Sequence, residues 1–193
     1  MLAIGLATVR TVFMDRDGTL NVKPPDGEYI TSPDDLVMIA GAARAVAQLN
    51  ASGLRTVLVT NQRWLSGPAG DAACFAEVQA RLHQLLAAEG AWLDASYHCP
   101  HALDSCDCRK PAPGMLRRAA TDHQFDLLRA VIVGDSDADV EAGRSVGAAT
   151  ILLRADASDI SADADAVAAD LPAAVRIILQ AVGRRTGPKR MAK

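Results

Sequence analysis

The sequence predicts an α/β fold in three layers: a central parallel sheet with helices on both faces. Three observations predict it. Short apolar runs of strand length alternate with helical patterns throughout the chain. Two of the runs, Thr56-Val57-Leu58-Val59-Thr60 and Ala130-Val131-Ile132-Val133, are continuous, as in strands buried on both faces. Several runs also end in polar residues, at the strand edge where such sheets bind ligands.

Thr11 to Met14 is the first expected strand, followed by a Pro-, Asp- and Gly-rich connection from Val22 to Ile39. Ala42 to Ser52 has helical composition, with Gly53 as its C-terminal cap. After the strand Thr56–Thr60 comes a glycine-containing loop, Arg63 to Gly70. Asp71 suits the cap of a helix running to about Glu89. A short strand is expected at Ala95 to His98, and Pro113 opens the next helix, at a position that tolerates proline. The strand Ala130–Val133 leads to a helix from Asp137, the candidate N-cap, to Val146. Thr150 to Leu153 and Ala166-Val167 are the last expected strands, the latter at an edge. A final helix spans Leu171 to about Ala181. No connection is long enough for a separate cap domain.

The 193 residues suit one domain, expected over 1–182, with a basic, disordered tail over 183–193. Half the residues are hydrophobic and 22% are charged, a globular balance. Aromatics are only 4%, so Ala, Val and Leu must build the core. A net charge of −3 and few aromatics argue against a nucleic-acid partner. The absence of an apolar stretch of about 18 residues argues against a membrane span. The start lacks the pattern of a secretory signal, and we read a cytoplasmic monomer. Cys74, in a helical pattern, is expected as a small core residue.

Asp15-Arg16-Asp17-Gly18-Thr19 carries the first chemistry. Two carboxylates that close repel, so a cation or a shared proton must hold them together. Mg²⁺ would supply the charge; one carboxylate could then attack phosphorus while the other moves a proton. A strand followed by an Asp-Gly turn is the plain alternative. Thr60 ends the second strand, where its hydroxyl could hold a phosphate oxygen; Thr60-Asn61-Gln62 could equally be a polar turn. Lys110, in Arg109-Lys110-Pro111, could screen nucleophile and phosphoryl group together, or belong to a solvated basic pair. In Gly134-Asp135-Ser136-Asp137-Ala138-Asp139, Asp135 is the candidate Mg²⁺ ligand. Asp139 could ligate through water or orient its neighbours.

Cys99, His101, Cys106 and Cys108 offer three thiols and one imidazole within ten residues, enough for a tetrahedral Zn²⁺. With no open position, such a zinc is structural, and its binding energy becomes folding energy for the loop. Free thiols or a disulfide are the alternatives. His98 would point to the opposite side of a continuing strand and is left out. His83 and His123 fall in helical patterns.

These pieces resemble the haloacid dehalogenase superfamily of phosphohydrolases from about Val12 to Leu153: Asp15-Arg16-Asp17-Gly18-Thr19, Thr60, Lys110, then Gly134-Asp135 with Asp139. The resemblance implies a Rossmann-like three-layer sandwich. It implies Asp15 as the nucleophile that forms an aspartyl-phosphate, and Asp17 as general acid and base. It implies Mg²⁺ on Asp15, the Asp17 carbonyl and Asp135, with Thr60 and Lys110 on the phosphoryl group. The zinc loop, together with Thr60-Asn61-Gln62 and Cys108-Arg109-Lys110-Pro111-Ala112-Pro113-Gly114-Met115, narrows the resemblance to the heptose bisphosphate phosphatases. The phosphatase domain of histidinol-phosphate phosphatase is similar in the same places. Arg109 matches a substrate-contacting position, and Asn61 is taken as a further contact. The implied partner is a small sugar phosphate.

One departure stands out. The family pattern continues after Thr-Asn-Gln with Ser-Gly; here Arg63-Trp64 follow. Arg63 could add a phosphate contact and Trp64 could stack on a sugar, or the pair could block the usual substrate. The expected function is therefore a Mg²⁺-dependent heptose 1,7-bisphosphate 7-phosphatase. The alternatives are a histidinol-phosphate phosphatase and a catalytically inactive, zinc-stabilised binding module.

Overall fold

A computed structural model describes residues 6–68, 70–155 and 163–186. Among them run β1 (Thr11–Met14), β2 (Arg55–Asn61), β3 (Ala95–Cys99), β4 (Ala130–Gly134), β5 (Ala149–Leu153) and β6 (Ala166–Ala168). The helices are α1 (Ala42–Ala51), α2 (Ala72–Ala88), α3 (Gly114–His123), α4 (Asp137–Arg144) and α5 (Leu171–Thr186). The strands form one sheet in the order β3-β2-β1-β4-β5-β6, and every pairing is parallel.

Side-chain alternation along the strands builds two cores. Val12 and Met14 of β1, with Leu58, Val131 and Ile151, pack under α1, α2 and α5. Phe13, with Val57, Val59 and Ile132, faces Met115, Leu116 and Ala119 of α3 and Ala142 of α4. Both faces are covered, which is why the central strands read as unbroken apolar runs. Helix α2 starts where Asp71 accepts from the N–H groups of Ala73 and Cys74, at 2.7 and 3.2 Å. It buries Phe75, Val78, Leu82 and Leu86 at helical spacing.

The strand order puts a switch point between β1 and β4. From β1 the chain builds β2 and β3 on one side, then crosses to β4 on the other. The loops leaving β1 and β4 therefore diverge and open a crevice at their C-terminal ends. Met14 lies level with Leu58 of β2 and Val133 of β4, and the Asp15 N–H donates to Val133 O at 3.0 Å. Asp15, Thr60 and Asp135 consequently emerge at one sheet edge.

Several boundaries differ from the sequence expectation. Strand β2 extends by one residue at each end, and β3 reaches Cys99. Pro113 is the N-cap of α3, which starts at Gly114. Ser136, not Asp137, caps α4: Asp139 Oδ2 accepts from the Ser136 N–H at 3.2 Å and its hydroxyl at 2.5 Å. Helix α5 continues to Thr186, because Ala181 and Val182 still pack on the core. The expected tail boundary at Gly183 falls inside it, and residues 187–193 lie outside the described residues. Cys74 is only half-buried, since it lies in the first turn of α2 away from the apolar stripe. No helix among the described residues is long and apolar enough to cross a membrane.

Candidate active site

Asp15, Asp17, Thr60, Asn61, Lys110 and Asp135 line one cleft of about 310 Å³ at the switch point. Gly18 makes their approach possible. Its φ is +83°, and a Cβ there would meet Asp135 Oδ2 at 2.4 Å. Gly134 does the same for Asp139, whose carboxylate would lie 2.2 Å from an added Cβ.

Asp15 is 9% exposed, and its Oδ1 lies 2.8 Å from Lys110 Nζ. Burial pushes the Asp15 carboxyl up to about 7; Lys110 opposes the rise, while Asp139 and Asp17 add to it. Burial alone would depress Lys110, but Asp139 and Asp15 outweigh it and hold the ammonium above its usual range. Lys110 Nζ also donates to Asp139 Oδ1 at 2.5 Å and to Val59 O at 2.9 Å. All three ammonium protons thus have acceptors, and Lys110 meets a phosphoryl group as a charge. Asn61 fixes this loop: its side-chain amide donates to Lys110 O at 3.0 Å and accepts from Lys110 N–H at 3.1 Å.

Asp17 is held by four donors. Arg16 supplies Nε and Nη2, at 3.2 and 3.1 Å. Asn21 Nδ2 and Gln62 Nε2 supply the others, at 2.9 and 3.0 Å. Gln62 Nε2 also donates to Thr60 Oγ1 at 2.9 Å. With that lone pair engaged, the Thr60 O–H is free to donate elsewhere. Arg16 and Gln62 are fully buried, and neither was anticipated as a site residue. The signal was a cation and an amide embedded in the two strand-end motifs. Lys23 was also missed: its Nζ lies 2.8 Å from Asp135 Oδ2.

Ligand atoms of Asp15, Asp135 and Asp139 lie within 4.8 Å of one another, a spacing that fits a hard cation. Asp139 already accepts from Lys110 and Ser136, which leaves it the orienting role. The rim is cationic. Arg109 borders the cleft with a buried Nη1 that has no hydrogen-bond partner among the described residues, a donor an anion would satisfy. Arg63 also lines it and donates to the Tyr29 hydroxyl at 3.3 Å. Trp64 corrects its expectation as a sugar-stacking residue. It is 8% exposed and turned inward, donating to Gln62 Oε1 at 2.9 Å, because the bulky ring is more stable buried.

The second constellation also assembles. Cys99 Sγ lies 3.5 Å from Cys106 Sγ and 3.6 Å from His101 Nδ1. Cys108 Sγ lies 3.3 Å from Cys106 Sγ and 3.1 Å from His101 Nδ1. These separations are too long for disulfides, and the four ligand atoms all lie within 4.8 Å of one another, as the ligands of one tetrahedral metal must. Burial works against the Cys106 thiolate, but hydrogen bonds from Cys108 and the backbone bring its thiol down to about 7. His98 stays outside, 4.4 Å from the Phe75 ring, centroid to centroid.

Residues 107–187 match a family model described as HAD-hydrolase-like. The chain is 36% identical over 144 residues to the D-glycero-beta-D-manno-heptose-1,7-bisphosphate 7-phosphatase of Pseudomonas aeruginosa, covering 74% of this chain and 80% of that one. It is 40% identical over 190 residues to the D-glycero-D-manno-heptose-1,7-bisphosphate 7-phosphatase of Thermosynechococcus vestitus, covering 86% and 94%. The crystal structure of the D,D-heptose 1,7-bisphosphate phosphatase from B. bronchiseptica, complexed with magnesium and phosphate, superposes with a TM-score of 0.81. That pair shares 32% identity and covers 89% of this chain and 99% of that one. The chain is a phosphatase, and it belongs to the heptose 1,7-bisphosphate phosphatase family of HAD-like hydrolases.

Proposed function

We propose that this chain removes the 7-phosphate of a D-glycero-D-manno-heptose 1,7-bisphosphate by way of an aspartyl-phosphate on Asp15. The carrying observation is the Asp15–Lys110 pair, 2.8 Å apart at the base of a cleft with a cationic rim. A nucleophilic carboxylate needs to be ionised, and the buried ammonium favours that form. Asp15 attacks phosphorus as the bond to the sugar oxygen breaks, and Asp17 gives that oxygen its proton. Asp17, now a carboxylate, takes a proton from water as the water oxygen attacks phosphorus. The bond from phosphorus to Asp15 then breaks, and the carboxylate is restored.

Thr60 donates to a phosphoryl oxygen, Lys110 balances its charge, and Asn61 holds Lys110 in reach. Asp15, the Asp17 backbone carbonyl and Asp135 would hold Mg²⁺, which neutralises phosphoryl charge when bound. Cys99, His101, Cys106 and Cys108 would hold a structural Zn²⁺. Arg109, with Arg63, takes the second phosphate. A histidinol phosphate brings a cationic amine to the same rim and is disfavoured there. Every group invoked comes from one copy, so we read the acting unit as a monomer. Thiols kept as metal ligands suit a reducing cytoplasm.

The test is phosphate release across sugar bisphosphates, both heptose anomers and histidinol phosphate, with phosphorus NMR reporting which phosphate leaves. Preferred loss of the 7-phosphate supports the reading; preference for histidinol phosphate reverses it. Asp15→Asn should abolish turnover without unfolding the protein. Substantial turnover by that variant would remove the proposed nucleophile.

A further inference from the structure

We infer that Trp64 is a positioning residue for the acid–base group Asp17 and acts on it through Gln62. The inference rests on the role given to Asp17 above. The Gln62 side chain is fully buried, and both ends of its amide are engaged. Its oxygen accepts from Trp64 Nε1 at 2.9 Å and from Arg16 Nη2 at 3.2 Å. Indole and guanidinium N–H groups only donate. The amide nitrogen donates to Asp17 Oδ2 at 3.0 Å and to Thr60 Oγ1 at 2.9 Å. Flipping the amide would set its N–H groups against two donors and its oxygen against a carboxylate. Two donor-only partners on one side therefore decide which way Gln62 points.

That orientation reaches a reacting position: Gln62 completes the four donors that fix the Asp17 carboxylate. Arg16 alone would leave the amide with one anchor on its oxygen. Arg16 is itself stretched between Asp17, Gln62 and, at 3.4 Å, Gln79 of α2. The indole supplies the second anchor, from a ring that is nearly buried and does not border the cleft. The Trp64 side chain thus meets the acid–base group through Gln62, while its neighbour Arg63 faces the cleft rim.

Trp64→Phe keeps an aromatic ring while removing the N–H together with the five-membered half of the indole. Its kcat on a sugar or other alkyl phosphate should fall about tenfold, with KM within twofold of the parent. Pre-steady-state release of phenolate from p-nitrophenyl phosphate should stay near the parent rate, because that leaving group needs no proton from Asp17. Gln62→Met should show the same alkyl-selective loss, and the double variant should add little to either single one. A folded Trp64→Phe protein with kcat within twofold of the parent overturns the inference. So does an equal loss on alkyl and aryl phosphates, which would mark a packing role. If Trp64→Phe does not fold, 3-benzothienylalanine at position 64, which keeps the bicyclic shape without the N–H, decides: alkyl-selective loss supports the link, and its absence refutes it. Asp17→Asn separates this failure from a failure of the reading beneath it. Parental alkyl turnover by Asp17→Asn removes the acid–base role itself, whereas an inactive Asp17→Asn beside a fully active Trp64→Phe removes only the role of Trp64.

Discussion

Lys110 Nζ meets Asp139 Oδ1 at 2.5 Å, a buried ion pair between residues 29 apart in the chain. Asp139 is 1% exposed and Lys110 4%, so water screens neither charge. Removing one partner of a buried pair costs about 3–5 kcal/mol, because the other charge stays buried. Lys110 retains Asp15, so Asp139→Asn should fall at the lower end, a loss of about 3 kcal/mol. Urea unfolding at neutral pH measures it; a loss below about 1 kcal/mol would mean that Asp15 alone can hold the ammonium.

Stability and metal binding should depend on pH through Asp15. Its folded pKa is raised to about 7 from an ordinary 3.8. The folded metal-free protein therefore holds this proton more tightly than the unfolded chain. The stabilisation is fully present below pH 3.8 and is lost as pH rises through about 7. Mg²⁺ competes with that proton, so the magnesium-induced rise in Tm should be small near pH 5.5 and should level off above pH 7.5, to about a unit. Differential scanning fluorimetry across this range checks it. An Mg²⁺ effect independent of pH would place the ion on other groups.

Zinc should copurify at about one equivalent and be distinct from the catalytic magnesium. Cys106→Ser, or a strong chelator, should lower Tm by roughly 10 °C, taking about 3–4 kcal/mol lost at 2–4 °C per kcal/mol. Activity should fall with it, because the loop that loosens leads directly into Arg109 and Lys110. Elemental analysis of protein purified without chelator is the direct measurement; an unmutated protein free of zinc contradicts the assignment.

Arg109→Ala should raise KM for a heptose bisphosphate about tenfold or more, the loss of one charged hydrogen bond at about 1.5–3 kcal/mol. A monophosphate lacking the second anion should lose less. Arg63→Ala should act in the same direction but more weakly, since Arg63 already spends a donor on Tyr29. Equal losses on mono- and bisphosphate would move both arginines away from the second phosphate.

The parts of this protein legible in the sequence are those carried by short-range patterns. Unbroken apolar runs marked β2 and β4 because a strand covered on both faces has no polar side to show. Asp15 and Asp17 stood out because two carboxylates one residue apart at the end of an apolar run repel and need a cation or a shared proton. Cys99, His101, Cys106 and Cys108 stood out because all the ligand types fall within a single loop. Helix ends were less legible: Ser136 takes the cap that Asp137 also suited, because Asp139 folds back onto it. Helix α5 outruns its expected end because Ala181 and Val182 find core to cover.

The sequence by itself determined the parallel sheet, the polar strand ends and the residue types that stand at them. Each of these depends on residues a few positions apart, whose relative placement the backbone period dictates. Only the tertiary structure decided which groups hold the others in place. Gln62 meets Asp17 across 45 residues, Lys23 meets Asp135 across 112, and Asp139 meets Lys110 across 29. The direction of Trp64 was decided in the same way. Beside a cleft its ring could stack on a sugar or be buried, and the fold offers it a dry site with an acceptor for its N–H. Local spacing carries no record of such partners, because parallel crossovers bring strand ends together regardless of how much chain lies between them.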